Sequence, residues 1–261
     1  MPNMKRLFLT LLLPVCLTAY GQLPLPAVPA TLTAPRDRAD YIATHFYDGM
    51  DWNDAAMSGL DAVMQSWADF LSVLPHATPD TAIVAIHDFM HTVPPSQADY
   101  VNGLAEGYLY AIDSEMYNET FYLAALDGLA TDPLLDETAA GLYRSRHDYL
   151  ARYAPGCEIT GLMVSPLDGG SQFDIGEAAG KAAEVMLLFY DPDCDDCHEA
   201  MHTLSTDPDW IARRQSGRLL VVIAEITDEV EDRFPILAVP SIYMLDGATL
   251  TIKSRNLPLS K

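Results

Sequence analysis

The sequence predicts an all-α N-terminal half followed by an α/β half, and three observations predict this. From about residue 35 to 153 the apolar residues recur at three-four spacing. After Pro155-Gly156 they recur in short alternating or β-branched runs. Helical stretches interleave with those runs, which is the pattern of an α/β layer fold. A chain of 261 residues is long enough for two ordinary domains.

Residues 1–21 read as a secretory signal peptide. Lys5 and Arg6 precede the apolar run Leu7-Phe8-Leu9-Thr10-Leu11-Leu12-Leu13, small residues follow at Ala19 and Gly21, and cleavage is expected after Gly21. The run is too short for a membrane span, which takes about 20 residues, and no later segment is a candidate. The mature chain is therefore expected in the periplasm or cell envelope, with no membrane span. Lipoprotein anchoring through Cys16 is the lesser alternative, because Pro14-Val15 ahead of it match poorly the small residues that lipidation requires.

The formal charge is -22, and loss of Lys5 and Arg6 with the leader makes the remainder more negative still. Such a surface repels nucleic acid and anionic lipid, so neither is expected as a partner.

Residues 22–34 (QLPLPAVPATLT and Ala34) are proline-rich and predict an extended linker, with the folded part starting near Pro35. A helical domain is expected over 35–153. Leu60, Val63, Met64, Trp67, Phe70, Leu71 and Leu74 form one apolar face, and Pro75 stops that helix. Thr78-Pro79 starts the next, with Ile83, Ile86, Phe89, Met90 and Val93 as its buried stripe before Pro94-Pro95. Similar start signals stand at Ser96, Asn118 and Asp136, giving five or six helices in all. Trp52, Trp67 and Tyr143 lie on stripes or near caps and read as core. His87 and His91 are one turn apart without the intervening Glu of a metalloprotease motif, so they read as ordinary helix residues.

The α/β domain is expected over 154–261, with strands at 161–164, 172–174, 184–190, 219–226, 241–245 and 249–253. Helices are expected at 194–204, at 208–215 closed by Gly217, and at 228–234.

Three cysteines survive cleavage after Gly21: Cys157, Cys194 and Cys197. Export lets disulfides persist, and the odd count leaves one thiol over. Cys157 reads as a buried, inert thiol in preference to a third redox partner. The most informative window is VMLLFYDPDCDDCHEAM (185–201), in which a buried strand runs into a turn and two cysteines three apart open a helix. The helix-starting N–H groups and the helix dipole favour a thiolate at Cys194, and Cys197 sits one turn inward where it can resolve a mixed disulfide. About forty residues on, LAVPSIYMLDG (237–247) places Pro240 directly before a strand.

On these residues the C-terminal domain, over roughly 157–253, resembles the thioredoxin superfamily, in particular its secreted thiol–disulfide oxidoreductase branch with an N-terminal hairpin, here around residues 167–170. The resemblance implies a central mixed sheet, with Cys194 and Cys197 as catalytic residues. It also implies a cis bond before Pro240, with Val239 and Pro240 orienting the backbone of substrate. The N-terminal half, notably PATLTAPRDRADYIATHFYDGMDW (29–52) and NETFYLAALDGL (118–129), is similar to an uncharacterised helical domain, the domain of unknown function 5106, found ahead of thioredoxin-like domains in envelope proteins. No terminal helix is expected after the last strand, and the helical half is expected to cover one sheet face in its stead.

Asp195-Asp196 stand between the cysteines where efficient reductants of that superfamily carry Gly-Pro or similar, and Asp191 and Asp193 precede them. Each charge opposes a thiolate by about 1 kcal/mol at 4 Å in bulk water, against roughly 0.3–1 kcal/mol from the helix terminus. Exchange is therefore expected to be slow and the disulfide weakly oxidising.

Other chemistries fit the window less well. Cys194-Asp-Asp-Cys197-His198 also matches the haem-attachment pattern. Asp191, Asp193 and Asp195 begin a calcium loop that fails at Asp196 and His202. A metal set of Cys194, Cys197, His198 and His202 lacks a second recognisable ligand pair. No metal or other cofactor is expected. Two functions remain: an exported thiol–disulfide oxidoreductase acting on disulfide-containing proteins with a thiol electron donor in the envelope, and a non-catalytic envelope binding or scaffold protein that retains the fold.

Overall fold

The computed structural model describes residues 23–256 and 259, so the expected leader, the expected cleavage after Gly21 and Cys16 lie outside the described residues. Residues 23–33 run without regular structure except for a turn at 30–31, and α1 (Pro35–His45) begins where the proline-rich stretch ends. Then follow α2 (Ala55–Ser58), α3 (Leu60–Val73), α4 (Pro79–Met90), α5 (Ala98–Leu109), α6 (Glu119–Thr131) and α7 (Glu137–Ala151).

Local chemistry explains the starts of α4, α6 and α7. The side chains of Thr78, Asn118 and Asp136 accept hydrogen bonds from the backbone N–H of Thr81, Phe121 and both Thr138 and Ala139, which satisfies N–H groups a helix end leaves orphaned. Ser96 does not act this way. Residues 95–97 form a 3-10 turn and α5 starts at Ala98 without a side-chain cap, while Gln97 donates to the Ser58 carbonyl at 2.9 Å instead.

The core of the helical half is aromatic. Trp67 and Phe70 are fully buried, each burial contributing about 1.5–3 kcal/mol, and Tyr47 stacks on Phe89 with centroids 3.8 Å apart. The expected apolar face of α3 is narrower than its spacing suggests. Leu60, in the first turn, is 57% exposed and Met64, on the flank of the stripe, is 40% exposed. Gly128 lets α6 approach α4 closely, since a Cβ there would come within 2.7 Å of the Met90 Cβ and 2.8 Å of the His87 carbonyl oxygen.

The α/β half holds β1 (Met163–Pro166), β2 (Phe173–Asp174), β3 (Glu184–Tyr190), α8 (Asp195–Thr206), α9 (Pro208–Gln215), β4 (Leu219–Glu225), α10 (Asp228–Arg233), β5 (Ser241–Asp246) and β6 (Ile252–Arg255). The first and last strands begin two to three residues later than their apolar runs do. The strands form one mixed sheet in the order β2-β1-β4-β3-β5-β6. β3 pairs with β4 in parallel, from Glu184 opposite Leu219 to Tyr190 opposite Glu225, and with β5 antiparallel. Alternation then sorts the side chains by face. Val185, Leu187 and Phe189 join Val222, Tyr243 and Leu245 on one side. Met186 and Leu188 join Val221, Ile242 and the apolar residues of α8 and α9 on the other.

The helical half meets the first of these faces. Arg255, register partner of Tyr243, inserts its guanidinium between the halves, donates to the Leu150 carbonyl at 2.8 Å and pairs with Glu119. Both side chains are buried. Tyr149 of α7 donates its hydroxyl to the carbonyls of Glu231 and Phe234, at 3.0 and 2.9 Å. Arg233 donates to the Tyr153 hydroxyl at 2.8 Å. No helix among the described residues is long and apolar enough to cross a membrane.

Candidate active site

β3, an interior strand, is buried over its five central residues and delivers the chain from its carboxyl end to a tight turn. Asp191 makes that turn: its carboxylate accepts from the Asp193 N–H at 2.8 Å and its carbonyl from the Cys194 N–H at 3.1 Å. Pro192 sits inside the turn, where its fixed φ costs nothing. Cys194 then takes the N-cap position of α8 with an extended backbone, φ -92° and ψ 114°. Its Sγ accepts from the Cys197 N–H at 3.1 Å, where a cap oxygen would normally stand. A negative sulfur there gains both from that N–H and from the helix dipole.

The two thiols differ sharply in environment. Cys194 is partly exposed and Cys197 is fully buried, and both are free. Burial pushes the Cys197 thiol up to about 12, helped by its hydrogen bond and charge interaction with Cys194, while a backbone hydrogen bond from Asp191 offsets part of the rise. The unfolded chain loses this proton near pH ~8.5. The stability linked to it is therefore whole below that pH and is lost as pH rises towards the folded value of about 12. The same asymmetry governs reactivity. Iodoacetamide near neutral pH is expected to label Cys194 first and Cys197 only after denaturation, as read by peptide mass mapping. Early labelling of Cys197 in the folded chain would contradict its burial.

The second component arrives from the irregular segment that leads into β5. The Val239–Pro240 bond is cis, and the Val239 carbonyl oxygen lies 3.9 Å from the Cys194 Sγ. Val239 is 37% exposed, so this backbone edge and the sulfur open to the same solvent. The fold thus brings together Cys194, Cys197 and Val239, with Pro240 next in the chain.

Asp191, Asp193, Asp195 and Asp196 are all exposed, so water screens their repulsion of a Cys194 thiolate and the opposing effect is weaker than their number suggests. Among the described residues no three His, Cys, Asp or Glu side chains converge as a metal set would. His198 and His202 are exposed on α8. Cys157 is partly buried, with its thiol donating to the Ala151 carbonyl at 3.4 Å.

Sequence reasoning missed the groups behind this site: Glu119, Tyr149, Ser241, Arg255 and Asn256. A charged residue closing the last strand was the one available signal, and Arg255 lies 136 residues from its partner Glu119.

Residues 12–152 match the model of a family described as a domain of unknown function, DUF5106. No curated protein matches the chain. Among solved structures, the chain is similar to a thioredoxin-like protein from Bacteroides caccae ATCC 43185, at 23% identity and a TM-score of 0.75, covering 90% of this chain and 94% of that one. It is also similar to the C-terminal domain of an uncharacterised protein from Bacteroides fragilis NCTC 9343, at 15% identity and a TM-score of 0.34, over 41% of this chain and 93% of that one. The first likeness shows the fold alone: an all-α half followed by a thioredoxin-like α/β half.

Proposed function

The chain belongs to the family described as the domain of unknown function DUF5106, a description that assigns no chemistry, and from the α/β half we propose that it is an exported thiol–disulfide oxidoreductase. The observation that carries this reading is the placement of one partly exposed sulfur. Cys194 Sγ takes a hydrogen bond from a helix N-terminus at 3.1 Å and faces the Val239 carbonyl at 3.9 Å, with a buried second thiol behind it.

In the proposed reaction the Cys194 thiolate attacks one sulfur of a substrate disulfide. A mixed disulfide forms, and the first substrate sulfur leaves as a thiolate that takes a proton from water. Cys197 then gives up its proton and attacks the Cys194 sulfur. The second substrate sulfur leaves and is protonated, and a Cys194–Cys197 disulfide remains. The substrate has gained two electrons and the cysteine pair has lost them; a thiol donor in the envelope restores the pair. Val239 and Pro240 orient the substrate backbone beside the sulfur. The flanking carboxylates keep exchange slow and the disulfide weakly oxidising, to the extent that solvent leaves them unscreened. The leader reading of residues 1–21 supports export to the periplasm or envelope, where disulfide-containing proteins are the substrates.

Insulin reduction by dithiothreitol is expected to be accelerated by the protein, with the acceleration lost in Cys194→Ser. The four aspartates that flank Cys194 in the sequence favour a second reading, a binding or scaffold protein in which the two cysteines close a structural disulfide. A rate with no dependence on Cys194 would leave that reading in place of the first.

A further inference from the structure

Between α10 and β5 the chain carries no regular structure over 234–240, yet this stretch holds Val239 and Pro240 against Cys194. With no ladder to fix it, its geometry depends on what grips it, and the helical half grips it at its start and in its middle and borders Asn256, which holds its end. At its start, the Tyr149 hydroxyl of α7 donates to the carbonyls of Glu231 and Phe234. In its middle, Leu237 packs on the hydrophobic core of the helical half, while Phe234 and Ile236 pack on a core of the sheet. At its end, the buried Ser241 hydroxyl donates to the Asn256 side-chain oxygen at 2.9 Å. Asn256 is itself buried at φ 55°, a left-handed backbone that Asn tolerates better than most residues. Its side chain lies beside the Tyr117 hydroxyl of the helical half without meeting it in full hydrogen-bond geometry, and its neighbour Arg255 is bound to Glu119 and Leu150. Within the α/β half the stretch is also held by the Phe234 N–H on the Val230 carbonyl and the Tyr243 hydroxyl on the Pro235 carbonyl, each at 2.8 Å.

We propose that the helical half serves as the positioning element of the docking edge, with Tyr149, Leu237, Ser241 and Asn256 as positioning residues that hold Val239-Pro240 in register with Cys194. The proposal rests on the exchange reading above and gives the helical half a part in it. Reacting groups must be held to within a fraction of an ångström, and a displacement of about 1 Å costs on the order of a hundredfold in rate. An irregular segment gripped from a second domain meets that demand. It also predicts which substrates suffer when the grip is loosened: those that need the edge to align, and not a small disulfide that needs only the sulfur.

Tyr149→Phe removes only a hydroxyl and keeps the ring, and Ser241→Ala serves as a second, independent variant should the first misfold. Two readouts are measured on each. In limited proteolysis, cleavage within 236–239 by a low dose of proteinase K is expected to run about tenfold faster than in the wild type, with no new cleavage in α4 or β3. In kinetics, KM for a peptide disulfide is expected to rise about tenfold, with less than a twofold change in the rate at which Cys194 reacts with 5,5′-dithiobis(2-nitrobenzoate). Ser241→Thr, which keeps the hydroxyl, is expected to restore both. Unchanged cleavage within 236–239 in both variants overturns the proposal, as does an equal loss with both disulfides. If the wild type shows no Cys194-dependent reaction with either disulfide, it is the exchange reading that fails, and the proteolysis alone then decides whether the helical half holds the edge.

Discussion

Glu119→Leu is expected to destabilise the protein by about 3–5 kcal/mol, because it leaves the Arg255 guanidinium buried without its counter-ion. The Arg255 side chain is wholly buried, and desolvation already lowers its pKa, with Tyr110 and Tyr117 close by. Its remaining hydrogen bond, to the Leu150 carbonyl, cannot replace a charge. The Tyr243 ring, whose centroid lies 5.9 Å from the guanidinium carbon, adds about 0.5–2 kcal/mol at best. In a chain of this length such a loss lowers Tm by roughly 10 °C. Because the pair joins α6 to β6, the single unfolding transition is also expected to split, with the two halves melting separately. The companion double variant Glu119→Leu/Arg255→Met is expected to recover most of the loss, since an apolar pair of similar volume removes both desolvation penalties. Urea unfolding of the two variants checks both statements. A loss under about 1 kcal/mol in Glu119→Leu would mean that the pair is solvated in solution.

Cys197→Ser is expected to cut turnover with a peptide disulfide by on the order of a thousandfold while leaving the first attack intact. In the proposed reaction the two sulfurs act in sequence, and only the second step uses Cys197. A serine hydroxyl there can still sit in the buried site, but it cannot displace a thiolate from sulfur, so the mixed disulfide waits for an external thiol. Cys194→Ser differs in kind, because it removes the attacking atom and no covalent complex forms at all. Single-turnover kinetics separate the two: a burst of the first leaving thiol persists in Cys197→Ser and is absent in Cys194→Ser. Comparable steady-state rates for Cys197→Ser and the wild type would assign resolution to another thiol, with Cys157 the one candidate among the described residues.

The sequence carries the fold class because periodicity is local. The switch from three-four spacing to alternating runs near Pro155-Gly156 coincides with the end of α7 and the start of the sheet, and 184–190 and 208–215 match β3 and α9 residue for residue. Pro79, Asn118 and Asp136 mark helix starts by chemistry that needs no tertiary context. Ser96 has the same residue type without the same role, because Pro94-Pro95 draw it into a 3-10 turn and Gln97 reaches across to Ser58. Leu60 and Met64 show the limit of spacing alone: the width of the buried stripe is set by the neighbouring helices, which the spacing does not describe.

The candidate site was legible for a similar reason. Cys194, Cys197 and the proline before β5 stand in recognisable local contexts. The acidic flank was legible too, but its effect was not, since four carboxylates act strongly or weakly according to whether they face solvent, and all four do. What could not be read is the support. Tyr149 and Phe234 are 85 residues apart, and Ser241 and Asn256 carry no signal distinguishing them from other polar residues at strand ends. Long-range pairs of ordinary residues leave no mark on a single sequence.

The most direct measurement is the mass of the covalent adduct formed when the reduced chain, in a Cys157→Ser background, meets oxidised glutathione at neutral pH. With Cys197→Ser added, one glutathione is expected on Cys194, stable to gel filtration and released by dithiothreitol. With Cys197 present, the adduct is expected to vanish and leave Cys194 and Cys197 joined, two hydrogens lighter than the reduced chain. A Cys197→Ser chain that stays unmodified under these conditions, or a Cys197-containing chain that keeps glutathione on Cys194, would contradict attack by one sulfur and resolution by the other.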